Sequence, residues 1–304
     1  MVRTIKLNDG TSIPALGWGN MGGSAKAINA GAAAVKAGIV HIDSAQIYGT
    51  EREVIQAIEK AGHKRDDIYV TTKIFSFNKN PISADDIRAS VQGSLDRLGF
   101  VPNLVLIHNP FIPTKAGMSL GEFWGHLEAL VEDGTLKGCS IGLSNFRPVD
   151  IEEIVKVAKI KPVVNQIECH PYVLAHIQPV LDIQTKHGIV TQSYAALTPV
   201  HSHPTGGPLK PILTKLAEKL SKESGVEIDA AGVLILWTVC KGFVCVTSSG
   251  NEERIRNMAA TEKVRDLTKE EIEEIDRVGQ KVHFRQWDEH MTTDFPDPKL
   301  PSDA

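Results

Sequence analysis

Two short alternating segments, in RTIKLNDGTSIPAL, flank Asp9-Gly10, a dipeptide that favours a tight hairpin turn. Beyond it one unit recurs: a short apolar run, a loop, then an amphipathic helical stretch. The apolar runs are IPALGWG, IVHID, IYVTTK, LVLIH, KGCSIGLS, VVNQIE, IVTQSY and FVCVT, eight in all. Thr50/Glu53, Ser83/Asp86 and Ser119/Glu122 read as capping boxes, and Gly62, Gly99 and Gly134 close the helices they open. Ile87, Val91, Leu95 and Leu98 recur along one helix face. Pro148 suits the first turn of another helix, and the last helix starts near Thr268. Strand-to-strand spacing is mostly about 25–35 residues, the size of a βαβ unit. One longer gap holds the loop LTPVHSHPTGGPLKP.

Eight such units with no composition break predict a single α/β domain over residues 1–304, a (β/α)8 TIM barrel. An irregular tail from about residue 280 to 304 needs something to pack on, and the barrel mouth is the expected place. AAGVLILWTVC, the longest apolar stretch, is too short to cross a bilayer and reads as a buried helix.

Composition narrows the partners. Hydrophobic residues are 42% and charged ones 23%, ordinary for a globular protein, and the net charge is −4 with no Lys/Arg block. No nucleic-acid partner is expected. MVRTIKLNDG has no apolar leader, so no membrane partner and a cytoplasmic location are expected. Cys139, Cys169, Cys240 and Cys245 lack C-x-x-C spacing and read as reduced, buried thiols. His201 and His203 share a loop, but two histidines rarely make a site, and no metal is expected. The pattern predicts no oligomeric state.

In a barrel the C-terminal strand ends carry the chemistry. There stand Asp43, with Tyr48 just beyond, Lys73, His108, Ser144, Asn145, Gln166 and Tyr194. Each alone has an ordinary structural reading. Asp43, Tyr48, Lys73 and His108, however, come from three consecutive strand ends and should meet at one mouth. A lysine ammonium beside a tyrosine favours phenolate and should draw its pKa down from about 10. A carboxylate keeps the lysine charged, and a histidine can orient a carbonyl oxygen. The set describes a phenol that donates a proton to a carbonyl, with a hydride supplied by a cofactor.

GWGNMG offers a competing origin for that cofactor site. Gly17, Gly19 and Gly22 match G-x-G-x-x-G, and Asp43 lies about 20 residues on, as in a dinucleotide-binding fold. Pro14 argues against it, because a central parallel strand would lose a ladder donor there.

HIDSAQIYGTE, VTTK, LIHNP, GLSNF, VNQIECHPY and QSYAAL, in that order, resemble the successive signatures of the aldo-keto reductases. The resemblance runs from about residue 4 to 280. It implies a (β/α)8 barrel whose N-terminal hairpin closes the bottom, and reduction of a small-molecule carbonyl to an alcohol with NADPH. Tyr48 would be the general acid, tuned by Lys73 and Asp43, with His108 orienting the substrate. Gly19, Asn20 and Met21 would line the nicotinamide mouth. Ser144, Asn145 and Gln166 would hold the carboxamide, and Tyr194 would stack on the ring, with Ala195 and Leu197 beside it.

CVTSSGNEERIRN follows the eighth run and should take the adenosine end. Asn251 can cap a helix whose free N–H groups attract phosphate, and Ser248, Ser249 and Arg254 add donors for a 2′-phosphate. Many members carry a lysine where Ser248 stands, so one positive charge is missing and NADH is an alternative cofactor. VTSS…ERI and LIHNPF resemble the fungal α-keto amide and conjugated polyketone reductases. The expected substrate wall is Trp18, Met21, Ile47, Phe75, Asn109, Phe111 and Trp287, suited to an activated carbonyl such as an α-keto ester, α-keto amide, diketone or aldehyde. A cofactor-binding barrel without turnover is the alternative function.

Overall fold

The structure, a computed structural model, describes residues 2–287. β1 (Thr4–Lys6) and β2 (Ser12–Pro14) form an antiparallel hairpin around Asp9-Gly10, with Thr4 opposite Pro14. Eight parallel strands follow: β3 (Leu16–Gly19), β4 (His41–Asp43), β5 (Tyr69–Ile74), β6 (Leu104–Ile107), β7 (Ser140–Ser144), β8 (Val164–Glu168), β9 (Val190–Tyr194) and β10 (Val244–Thr247). They close in chain order, β10 beside β3, into a barrel. The first apolar run therefore serves two elements. Ala15 divides them: its N–H donates to Arg3 O (2.9 Å) in the hairpin, and its carbonyl accepts from Cys245 N (2.7 Å) in the barrel.

The helices are α1 (Ser24–Ala37), α2 (Glu51–Ala61), α3 (Ala84–Leu98), α4 (Phe111–Lys115), α5 (Leu120–Glu132), α6 (Pro148–Val155), α7 (Leu174–His187), α8 (Thr198–His201), α9 (Lys210–Ser224), α10 (Ala230–Cys240), α11 (Glu252–Ala260) and α12 (Lys269–Gly279). Ser83 and Asp86 form the reciprocal box at α3, Ser119 caps α5, and Pro148 opens α6. The Thr50/Glu53 box does not form. Thr50 is buried, and its hydroxyl donates instead to Asn20 Oδ1 (3.0 Å), while Asn20 Nδ2 donates to Thr50 O (3.1 Å). Two polar groups shut away from water satisfy each other rather than the helix end.

The main core lies between barrel and helices. The strand period of two sets who faces it. Trp18 points outward and is fully buried beneath α1, where a Cβ on Gly31 would stand 3.2 Å from its ring. A second cluster fills the other end of the barrel: Leu7 and Ile13 of the hairpin pack on Leu104, Leu106, Val164, Val244 and Val246. Full burial of each such side chain contributes about 1.5–3 kcal/mol. The hairpin is thus a plug at the barrel bottom. All four thiols are free; Cys139, Cys169 and Cys245 are buried, and Cys240 is only half-buried, a departure from the expectation. Among the described residues no helix is long and apolar enough to cross a membrane.

Candidate active site

At the opposite end, the strand tips bring together the four residues expected to act. Lys73, on β5, is fully buried. Its ammonium donates to Asp43 Oδ1, to Ser44 O (2.9 Å) and to Tyr48 Oη (3.5 Å), so all three N–H groups have partners. The second oxygen of Asp43 accepts from Gln166 Nε2 (2.8 Å) on β8. Tyr48 ends a 3-10 turn, Gln46–Tyr48. Gln46 pins that turn: its amide donates to Ser90 O (3.1 Å) and Ser94 Oγ (3.0 Å) of α3 and accepts from Phe75 N (3.0 Å). His108 follows β6 and stands edge-on to Tyr48 and Phe75, with ring centroids 6.0 and 5.5 Å away.

The electrostatics differ from the sequence reading in one respect. Burial alone would push the Lys73 ammonium down, but Asp43 and Tyr48 more than offset it, and its pKa is raised. For Tyr48, burial raises the pKa and Lys73 opposes; the net direction is upward, not downward. Desolvation of the phenolate outweighs the single ammonium, which already shares its charge with Asp43. The phenol therefore keeps its proton at neutral pH.

The cluster opens into a cleft of about 1200 Å³. Of the expected residues, Gly19, Met21, Asp43, Ile47, Tyr48, Phe75, His108, Asn109, Phe111, Ser144, Asn145, Gln166, Tyr194, Ala195, Leu197, Ser248 and Trp287 line it. Trp18, Asn20, Lys73, Ser249, Asn251 and Arg254 do not. Strand alternation turns the Trp18 indole into the core, where its Nε1 donates to Ser249 O (3.2 Å), and Asn20 is held under the surface by Thr50. The sequence reading missed Val246 and Thr247 at the end of β10, and Lys115, Thr198, His201, Ser202 and Gln286, which also line the cleft. The last five sit on α4, on α8 with the residue after it, and on the tail, in segments with no strand pattern to place them. The tail does reach the mouth as far as residue 287; residues 288–304 lie outside the described residues.

Among the described residues two non-glycines adopt left-handed backbone, Asn145 (φ 62) and Ala195 (φ 53). They immediately follow β7 and β9 at the mouth, where stored strain is a sign of a functional constraint. Asn145 Nδ2 donates to His108 O (3.0 Å), and its Oδ1 accepts from the Tyr194 hydroxyl (2.8 Å). In the turn that follows Ser248, Ser249 is buried and its Oγ accepts from Asn251 N (3.1 Å). Asn251 Oδ1 caps α11 by accepting from Arg254 N (3.0 Å), and both side chains are exposed. His203, the second histidine of the loop, packs against Tyr172 and Phe284.

Comparison with known proteins agrees with this arrangement. The model of the Aldo/keto reductase family matches residues 10–280. The NAD/NADP-dependent indole-3-acetaldehyde reductase of Schizosaccharomyces pombe is 30% identical over 259 residues, covering 85% of this chain and 86% of that protein. The NADPH-dependent alpha-keto amide reductase of Saccharomyces cerevisiae is 31% identical over 249 residues, covering 80% and 75%. Among solved structures, a Bombyx mori aldo-keto reductase in complex with NADP superposes with a TM-score of 0.78 at 27% identity, covering 91% of this chain and 93% of that one. An aldo/keto reductase from Brucella melitensis gives 0.76 at 30% identity, covering 91% and 100%. A barrel plugged below, an Asp–Lys–Tyr–His cluster above and a match across most of its length make this chain a member of the aldo/keto reductase family.

Proposed function

We propose that the protein reduces an activated carbonyl, such as an α-keto amide, α-keto ester, diketone or aldehyde, to the alcohol, using NADPH. The observation that carries the reading is the Tyr48 hydroxyl, 3.5 Å from a fully buried Lys73 ammonium, beside His108 at the inner end of a large cleft. Drug-sized ligands occupy about 300–1,000 Å³; this cleft, at about 1200 Å³, has room for a nicotinamide and a substrate together.

The polar groups along the cleft fit such a cofactor. Ser144, Asn145 and Gln166 offer hydroxyl and amide groups to a carboxamide, and Tyr194 offers an aromatic ring. Ser248, Ser249, Asn251 and Arg254 gather at the start of α11, where helix N–H groups and a guanidinium suit a phosphate. When bound, the reduced nicotinamide supplies the hydride.

The chain's own groups do the rest. Tyr48, protonated because burial raises its pKa, gives its proton to the carbonyl oxygen as negative charge builds there. The phenolate left behind gains from the Lys73 ammonium, and Asp43 and Ser44 O hold that ammonium in place. His108, fixed beside Tyr48, positions the carbonyl oxygen. Two relatives, a keto amide reductase and an indole-3-acetaldehyde reductase, support the substrate class. The test is NADPH consumption against α-dicarbonyls, α-keto amides, aldehydes and sugars. Turnover of the activated carbonyls is expected. Binding of NADPH with no turnover by any of them would favour a non-catalytic barrel.

A further inference from the structure

Lys26 lies on the first turn of α1, and its side chain runs back over the rim of the cleft. Nζ donates to Met21 O (3.0 Å) and to Ser248 Oγ (3.1 Å), and Ser248 in turn donates to Gly19 O (2.8 Å). The stem lies along two glycines: a Cβ on Gly22 would stand 2.8 Å from Lys26 Cδ, and one on Gly250 3.7 Å from its Cε. The ammonium is therefore seated between the ends of β3 and β10, on two segments whose residues Gly19, Met21 and Ser248 line the cleft.

Its charge is unspent. Both acceptors are neutral, which leaves one of three N–H groups open. Among the described residues no carboxylate pairs with Lys26, and none pairs with Arg254 on the first turn of α11. Arg254 is close enough to His201, on the cleft wall, to help burial depress that imidazole. Two uncompensated cations thus flank the turn at residues 248–251. A phosphate monoester, carrying about −1.5 to −2 charges, gains from both; a hydroxyl in the same place gains almost nothing.

We infer that Lys26 supplies a cation for the 2′-phosphate of the cofactor, and with Arg254 makes the site prefer NADPH to NADH. The inference rests on the functional reading above and adds a residue to it from the other side of the barrel seam.

The test is equilibrium titration of protein fluorescence with NADPH and NADH, and competition by 2′,5′-ADP and 5′-ADP, for wild type, Lys26→Met and Lys26→Arg. Lys26→Met should bind NADPH about tenfold more weakly, the size of one charge-assisted hydrogen bond, and NADH within about twofold of wild type. 2′,5′-ADP should lose the same factor as NADPH, and Lys26→Arg should restore both. Matching thermal melts exclude a folding defect. Unchanged NADPH affinity in Lys26→Met would overturn the inference, and equal losses for both dinucleotides would place the charge on a phosphate they share. A wild-type protein that binds neither dinucleotide would instead overturn the functional reading itself.

Discussion

Glu168 holds Trp287 in place across the cleft mouth: its buried carboxylate at the end of β8 accepts the Trp287 backbone N–H at 2.8 Å and that of Gln286 at 2.7 Å. The same group accepts from His170 Nε2 (3.0 Å) and faces Arg285 at 3.7 Å. One carboxylate thus ties a barrel strand to the tail residues that line the cleft. Glu168→Gln keeps the size but not the charge. It should destabilise the protein by about 1–3 kcal/mol and raise KM for bulky carbonyls several-fold, with kcat for a small aldehyde nearly unchanged. Steady-state kinetics on a size series, with acrylamide quenching of tryptophan fluorescence, checks this. A uniform loss of kcat across the series would argue against a role confined to the wall.

Tyr48→Phe removes the proposed proton donor and keeps the ring that lines the cleft. Carbonyl reduction should drop by about 10²–10⁴-fold, while NADPH binding by fluorescence stays near normal. Wild-type turnover in this variant would be fatal to the assigned acid.

The upward direction of the Tyr48 pKa sets the pH profile. The acid form is the active one in reduction, and a raised pKa keeps it populated beyond the ordinary phenol value. The rate should stay level through neutral pH and fall only above about pH 10. A basic limb near pH 8 in the reduction direction would show that the ammonium wins over burial.

Arg254→Ala should weaken NADPH more than NADH, because the group proposed for its guanidinium, the 2′-phosphate, is one that NADH lacks. Calorimetric titration with both dinucleotides decides it. Equal weakening would remove Arg254 from the 2′-phosphate.

His41 gives a stability prediction away from the chemistry. It is fully buried, and burial, opposed by Asp43, lowers its pKa to about 4. Below pH 6.5 the unfolded chain takes up a proton that the folded one refuses. Its contribution is therefore present above pH 6.5 and is lost as pH falls towards 4, at up to about 1.4 kcal/mol per pH unit. Denaturant melts of His41→Gln should show a shallower decline over that window, whatever the change in absolute stability. An unchanged slope would assign the acid sensitivity elsewhere.

The barrel was legible because each strand is an apolar run and several helices carry terminal signals of their own, Ser83, Ser119, Pro148 and Thr268 among them. The acid cluster was legible because strand ends are fixed points in that topology. Trp18 was misplaced although the information was present: it alternates with Gly17 and Gly19, so it shares the outward face with Leu16. The direction of the Tyr48 pKa was not legible, since it depends on how much water the fold removes. Nor was Lys26. Ser248 read as a position short of a positive charge, and the ammonium that reaches it belongs to a residue 222 positions away in the chain. Glu168 lay inside a recognised motif with one partner, His170, but its other partners, Arg285, Gln286 and Trp287, are in a tail with no periodicity to place it.

The hairpin stopper at the foot of the barrel separates two kinds of demand on the chain. Leu7, Ile13 and the valines above them answer for cohesion, while α4, α8 and the tail answer for what enters at the top. The upper segments can change without loosening the lower ones. A lineage built on this plan can acquire new tastes by editing its rim, and the foundation need never be renegotiated.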